Sequence, residues 1–123
     1  MKTKILLFLF ISGALFAQGT SNLKRLDTQC RKGDAKSCYD IGLIYDKADI
    51  VKYNPHKVAF YYDKACDGKI INACYSLGVL YNEGTYGKNG IKIDETKSKA
   101  AYQKGCDFGG EDCCHHLKML NEN

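Results

Sequence analysis

The sequence contains no tryptophan and a single proline. One proline is too few for a Pro-rich linker or a collagen-like chain. Neither sign of charge dominates: 18 Lys+Arg stand against 14 Asp+Glu, a formal net charge of +4. No run of Lys or Arg marks a polybasic membrane patch, and a surface this near neutral is no electrostatic funnel for nucleic acid. No Cys-x-x-Cys occurs, so thioredoxin-like redox chemistry has no motif to rest on. At 123 residues the chain has room for one domain. What it does have is cysteine, seven of them, an unusual density that points to a small disulfide-dependent domain.

The long apolar run is confined to the start. Lys2 and Lys4 form a short basic region, Ile5 to Phe16 carry no charge, and Ala17 offers a small residue before Gln18. This is the tripartite pattern of a signal peptide over residues 1–17, with Ser12-Gly13-Ala14 as a second cleavage candidate. The apolar run is shorter than the ~20 residues that span a bilayer, and no cysteine stands at the cut to carry a lipid. Removing Lys2 and Lys4 leaves 16 cationic against 14 anionic residues, or +2. The reading is therefore an exported domain over residues 18–123, periplasmic or secreted, with no membrane span and no nucleic-acid partner. Export delivers the chain to an oxidising compartment, where cysteine pairs close and persist.

Cysteine spacing organises the remainder. Cys30 and Cys38, Cys66 and Cys74, and Cys106 and Cys114 each stand eight residues apart, with Cys113 left over. The step between pairs is 36 residues from Cys30 to Cys66 and 40 from Cys66 to Cys106. A period in this range marks a repeat architecture. Cys38-Tyr39, Gly42 and Tyr45 recur as Cys74-Tyr75, Gly78 and Tyr81. Lys57, Tyr62 and Lys64 recur as Lys97, Tyr102 and Lys104. The longer second step places a four-residue insertion in the Gly-rich stretch between Gly84 and Gly90, which reads as a loop, because loops absorb added length at little entropic cost.

The apolar period names the elements. Cys38, Ile41, Gly42 and Tyr45, and again Cys74, Leu77, Gly78 and Tyr81, follow the i, i+3, i+4, i+7 spacing of one helix face. These are the first helices of two units, with Asp34 as the N-cap of the earlier one. Second helices start at Asn54-Pro55 and at Asp94, good caps with proline at a position that loses no hydrogen bond. Val58, Tyr61, Tyr62 and Ala65, then Ala101, Tyr102 and Gly105, give them an inward face. Residues 22–30 read as the tail of an earlier second helix and residues 111–121 as a truncated first helix. The units run over about 30–65 and 66–105, with a terminal cap at 106–123. Gly42 and Gly78 each cost about 1 kcal/mol in mid-helix, which close backbone-to-backbone packing of the paired helix would explain. Lys118 and Asn121 replace the Gly and Tyr in the last unit, as a cap facing solvent requires.

The pattern Cys-x7-Cys-Tyr-x2-Gly-x2-Tyr, followed by a capped helix ending Tyr-x-Lys-Ala/Gly-Cys, resembles the Sel1-like repeat. It is similar in particular to the disulfide-rich version found in the Helicobacter cysteine-rich proteins. The resemblance covers Cys30 to about Leu117. It departs from the pattern at Gly105, where alanine is usual, and at the extra Cys113. It implies an all-α solenoid of tetratricopeptide-like helix pairs with one disulfide per repeat. Each pair would tie a second helix to the next first helix: Cys30–Cys38, Cys66–Cys74 and Cys106–Cys114, with Cys106–Cys113 as the alternative for the last. A bridge needs Cα atoms roughly 4.4–6.8 Å apart, whereas eight residues of straight helix span about 12 Å. The chain must therefore turn inside each pair, and every interval contains a glycine where a helix can end left-handed.

The resemblance also implies penicillin binding or β-lactam hydrolysis. Ser21-Asn22-Leu23-Lys24 matches S-x-x-K, but no S-D-N or K-T-G accompanies it, and lysine is abundant enough to produce the match by chance. Cys113, Cys114, His115 and His116 lack zinc-ligand spacing, and His56 reads as a solvated first-turn residue. No catalytic residue, metal or cofactor is assigned. The expectation is an exported module that binds a protein, peptide or cell-wall fragment in the groove of its first helices. The β-lactamase, with β-lactam as ligand, is the alternative. Tyr45, Tyr62, Tyr81 and Tyr102 are expected in the packing between helices. Tyr39 and Tyr75, beside the staple cysteines, are the candidate ligand contacts, because tyrosine offers large contact area at small rotamer entropy.

Overall fold

A computed structural model describes residue 19 and residues 21–123. The expected export segment, 1–17, lies outside the described residues. Among the described residues every regular element is a helix: α1 over 21–31, α2 (Ala35–Lys47), α3 (Pro55–Asp67), α4 (Ile71–Glu83), α5 (Glu95–Asp107) and α6 (Glu111–Glu122). The all-α, disulfide-stapled solenoid follows from how they pack. Helix α2 pairs with α3 and α4 with α5, while α3 packs on α4 and α5 on α6. The second helices α3 and α5 also touch, as do the first helices α4 and α6.

The caps form by the expected chemistry, with one change. The Asn54 side chain accepts a hydrogen bond from the Lys57 amide and that of Asp94 from the Lys97 amide. Each satisfies a donor that the helix start leaves orphaned. Asp34 holds the N-cap position of α2, but its carboxylate makes no cap bond to the backbone. It accepts instead from the buried Ser37 hydroxyl at 2.6 Å.

Gly42 and Gly78 answer to a ring rather than to a backbone. A Cβ on Gly42 would lie 2.5 Å from Cδ1 of Tyr62, and one on Gly78 would lie 2.5 Å from Cε1 of Tyr102. The two tyrosines are 2% and 1% exposed. Each ring fills the space a side chain would take, and full burial of a large side chain contributes about 1.5–3 kcal/mol, more than the helical glycine costs. Ser98, at the register of Val58 one unit on, is fully buried. It remains satisfied by donating to the Gly78 carbonyl at 2.7 Å.

The turns inside the cysteine pairs reverse the chain between consecutive helices. Gly33 and Gly109 adopt φ of +100° and +96°, the left-handed geometry that glycine enters freely. In the middle turn the left-handed residue is Lys69, at φ 70°, while Gly68 stays at φ −84°. Glycine is needed at 68 for another reason: a Cβ there would run into the Ala35 Cβ of α2. The insertion is a loop, closed by Thr85 N–H donating to the Ile91 carbonyl and Ile91 N–H donating to the Thr85 hydroxyl. No helix among the described residues is long and apolar enough to cross a membrane.

Candidate interaction surfaces

The six paired cysteines hold the elements in place. Cys30–Cys38, Cys66–Cys74 and Cys106–Cys114 are bonded, with Cα separations of 4.8, 4.6 and 4.6 Å. Cys113 is free and fully buried. Burial, and secondarily the Asp112 carboxylate, pushes its thiol above the usual cysteine range.

On the face of the first helices, Tyr39 and Tyr75 are half-buried and lean on the buried tyrosines of the paired helices. Ring centroids lie 5.7 Å apart for Tyr39–Tyr62 and 5.9 Å for Tyr75–Tyr102. His116 joins the second cluster, edge-on to Tyr75 at 5.1 Å and stacked on Tyr102 at 5.3 Å, while its Nδ1 donates to the Asp112 carbonyl. Tyr75 lines a groove of about 320 Å³ with Tyr62, Val79 and Leu80, and with Asp46 and Glu83 supplying its carboxylates. The Tyr62 hydroxyl donates to Asp46 at 3.1 Å. Burial first, and then the neighbouring Asp46 charge, raises the ionisation of Tyr62 well beyond the ordinary tyrosine range. The Tyr39 ring belongs to the Tyr62 cluster.

Tyr45 and Tyr81 are half-buried and pack against the edge of the core between helices, as expected, each beneath a lysine of the next helix. Lys57 Nζ lies 5.0 Å from the Tyr45 centroid and donates to its hydroxyl, and Lys97 Nζ lies 5.2 Å from the Tyr81 centroid. Helical period shows that a residue shares a face with the core but not how far toward the edge it sits. The signal in the sequence was the pairing itself, a tyrosine recurring at step 36 with a lysine recurring at step 40.

The sites of catalytic interest do not converge. Ser21 and Lys24 are both exposed on α1 and line a groove between α1 and α3, but no S-D-N or K-T-G element joins them there, and their exposure leaves them in the water that acyl transfer must exclude. Cys114 is consumed in a disulfide and Cys113 faces inward, leaving His115 and His116 without cysteine partners for a metal. Among the described residues no group of three or more potential ligands is placed to hold one. His56 is exposed in the first turn of α3.

Helix pairs stepped at 36 and 40 residues, each unit stapled to the next by one disulfide, define a Sel1-like repeat protein. Within that class the structure is similar to Helicobacter pylori cysteine rich protein B, with a TM-score of 0.67 and 27% identity over 77% of this chain and 68% of that one. A Sel1 repeat protein from Oxalobacter formigenes shares the fold at a TM-score of 0.61 and 22% identity, again over 77% and 68% of the two chains. No protein-family model matches the sequence. Among curated proteins, cytochrome c oxidase assembly factor 7 of Xenopus tropicalis is 32% identical over 85 residues. Assembly factor 7A of Xenopus laevis is 33% identical over 90 residues. Both matches take in 65% of this chain, which spans 36% of the length of those relatives.

Proposed function

We propose that the chain is an exported interaction module, without chemistry of its own, that binds a protein, peptide or cell-wall fragment in the groove of its first helices. The carrying observation is that groove: Tyr75, Val79 and Leu80 form an apolar bed, and Asp46 and Glu83 stand at its margin to fix a polar or cationic group. Apolar area with a few placed polar groups is the usual make-up of a binding site. The repeat class supports interaction with other proteins, and so does the naming of the curated relatives as assembly factors. Export is supported by three closed disulfides, which persist in oxidising compartments, and by the signal-like pattern of residues 1–17.

No observation favours β-lactam hydrolysis, since Ser21 and Lys24 lie exposed on α1, away from the first-helix groove. The test is capture from envelope extract under non-reducing conditions, with the native chain and the variant Tyr75→Ala as bait. A partner retained by the native chain and lost by the variant is the expected result. A set of captured proteins indifferent to Tyr75, or nitrocefin turnover that persists through purification, would overturn the reading.

A further inference from the structure

The second helices carry a feature that the first-helix groove does not use. Between α3 and α5 lies a groove of about 430 Å³, with Phe60 and Asp63 contributed by α3, Lys97 and Lys104 by α5, and Tyr81 by α4. Between α1 and α3 lies another, of about 530 Å³, lined by Lys24, Asp27, Arg31, Tyr45, Lys57 and Tyr61. The two are the same site repeated. Asp27 and Tyr45 return as Asp63 and Tyr81 at step 36, and Lys57 returns as Lys97 at step 40. Each is larger than the groove on the first-helix face.

Charge decides what fits. Three cations line the α1/α3 groove against one carboxylate, and two line the α3/α5 groove against one. The anions are already engaged or outnumbered. Asp27 is taken by Arg31 at 2.9 Å and by the Tyr61 hydroxyl at 2.9 Å, and Lys104 is held by Asp67, outside the groove lining, at 2.5 Å. Lys57 and Lys97 have no carboxylate within ion-pair distance among the described residues. Each is held in place over a tyrosine ring. A cation so placed keeps its charge while losing part of its rotamer freedom, so less entropy remains to be lost when an anion arrives.

We infer that the face of the second helices binds an extended acidic segment of a partner protein, one carboxylate per repeat, at Lys57 and Lys97. The register follows from the packing. Helices in contact, as α3 and α5 are, have axes about 8–10 Å apart, and an extended chain advances about 3.3 Å per residue. Acidic residues about three apart therefore match the lysines of successive units. Asp27, Asp63 and Asp67 interrupt the positive face at each repeat. That suits separate carboxylates and opposes the continuous phosphate track of a nucleic acid. The inference shares with the proposed function only the premise that the chain binds proteins, and it uses other residues.

The test is fluorescence anisotropy with the full oxidised chain and a fluorescein-labelled peptide of Glu-Ala-Thr repeated four times. An isomer with its four glutamates adjacent is the control. The spaced peptide should bind better than the isomer and should weaken as salt rises. Lys57→Gln and Lys97→Gln should each weaken it by up to about fivefold, the upper end of the range of exposed ion pairs. Lys57→Arg should restore binding, and Tyr75→Ala should leave it unchanged, so loss of the first-helix groove is read separately. Both lysines are exposed, so far-ultraviolet dichroism of the variants should match the native chain. Binding that survives the double Lys57→Gln, Lys97→Gln change, absence of binding by the spaced peptide, or equal competition by oligothymidylate would each overturn the proposal.

Discussion

The sulfur of Cys113 occupies the space that a methyl group on Gly105 would need. A Cβ built at position 105 would collide with Sγ of Cys113, come within 2.9 Å of its Cβ, and stand 3.0 Å from Cβ of Cys74. One repeat earlier the same two registers hold Ala65 and Ala73, both fully buried. The volume has moved from one helix to the next: α5 gives up a methyl and α6 gains a thiol. The two departures from the repeat pattern are thus one compensated exchange in the contact between α5 and α6.

A double-mutant cycle reads this exchange directly. Gly105→Ala alone should destabilise by about 1–3 kcal/mol through overpacking. Cys113→Ala alone should cost a similar amount through the cavity it opens. The double variant rebuilds the Ala65–Ala73 arrangement and should be more stable than the sum of the two losses by more than about 0.5 kcal/mol. Urea denaturation of the four proteins measures it. Strict additivity would show that Cys113 and Gly105 do not share the space.

Lys69 offers a gain rather than a loss. Its φ of 70° places an L-residue in the left-handed region, while the equivalent turns use Gly33 and Gly109. That conformation costs a residue with a Cβ roughly 1–2 kcal/mol. Lys69→Gly relieves the cost but gives the unfolded chain more freedom, which offsets part of it. A net stabilisation of about 0.5–1 kcal/mol is expected by the same reasoning, read as a rise in the thermal midpoint. Gly68→Ala, one residue earlier, should do the opposite, because its methyl meets Ala35.

How much of this was legible beforehand differs by residue. Equal cysteine intervals and the recurrence of Cys-Tyr, Gly and Tyr were enough for the helix pairs and the repeat step, because both are local or periodic properties of the chain. The reason for Gly42 and Gly78 was not, since a missing Cβ in a sequence does not say whether a backbone or a ring occupies the space. Tyr45 and Tyr81 sit at the edge of the core rather than within it for a related reason: periodicity gives direction around the helix, not depth. Gly105 and Cys113 were visible as separate exceptions, and only their contact makes them one. The candidate contacts Tyr39 and Tyr75 occupy the same register one repeat apart, and the groove that Tyr75 lines depends on Val79, Leu80 and Glu83 around it, which the repeat step alone does not show.

Alkaline pH should unfold the chain earlier than its lysines alone would. Burial, with the Asp27 carboxylate accepting the hydroxyl proton of Tyr61, raises Tyr61 from 10.0 to about 12. Burial, with Tyr75 and Cys113 as lesser contributors, raises Tyr102 to about 12. A group whose folded ionisation lies above its unfolded value stabilises fully below the unfolded value. That contribution is lost as pH climbs through the folded one. Stability should therefore hold up to about pH 10 and fall between about pH 10 and 12, the window set by these shifts. Tyrosinate absorbance followed alongside dichroism checks it: the buried tyrosines should ionise together with loss of helix. Full ionisation of all nine tyrosines near pH 10 with helix intact would refute the burial of Tyr62 and Tyr102.

Each staple closes a loop of about nine residues, worth roughly 2.5 kcal/mol in the chain-entropy model. Three would supply about 7 kcal/mol, against total stabilities of about 5–15 kcal/mol for a domain. Repeat arrays usually need three or more units to bury a continuous core, so the disulfides carry a share that further repeats would otherwise carry. Non-reducing peptide mapping should recover Cys30–Cys38, Cys66–Cys74 and Cys106–Cys114, with no Cys106–Cys113 product, because Cys113 points at Gly105 and is sealed from solvent. The native protein should therefore titrate no thiol with a disulfide reagent, and one thiol after denaturation. Burial keeps that thiol protonated as well as inaccessible. Reduction should lower the thermal midpoint by at least about 20 °C, since 1 kcal/mol moves a domain of this size by about 4–8 °C. A reduced chain that melts within a few degrees of the oxidised one would mean that helix packing alone holds the repeats together.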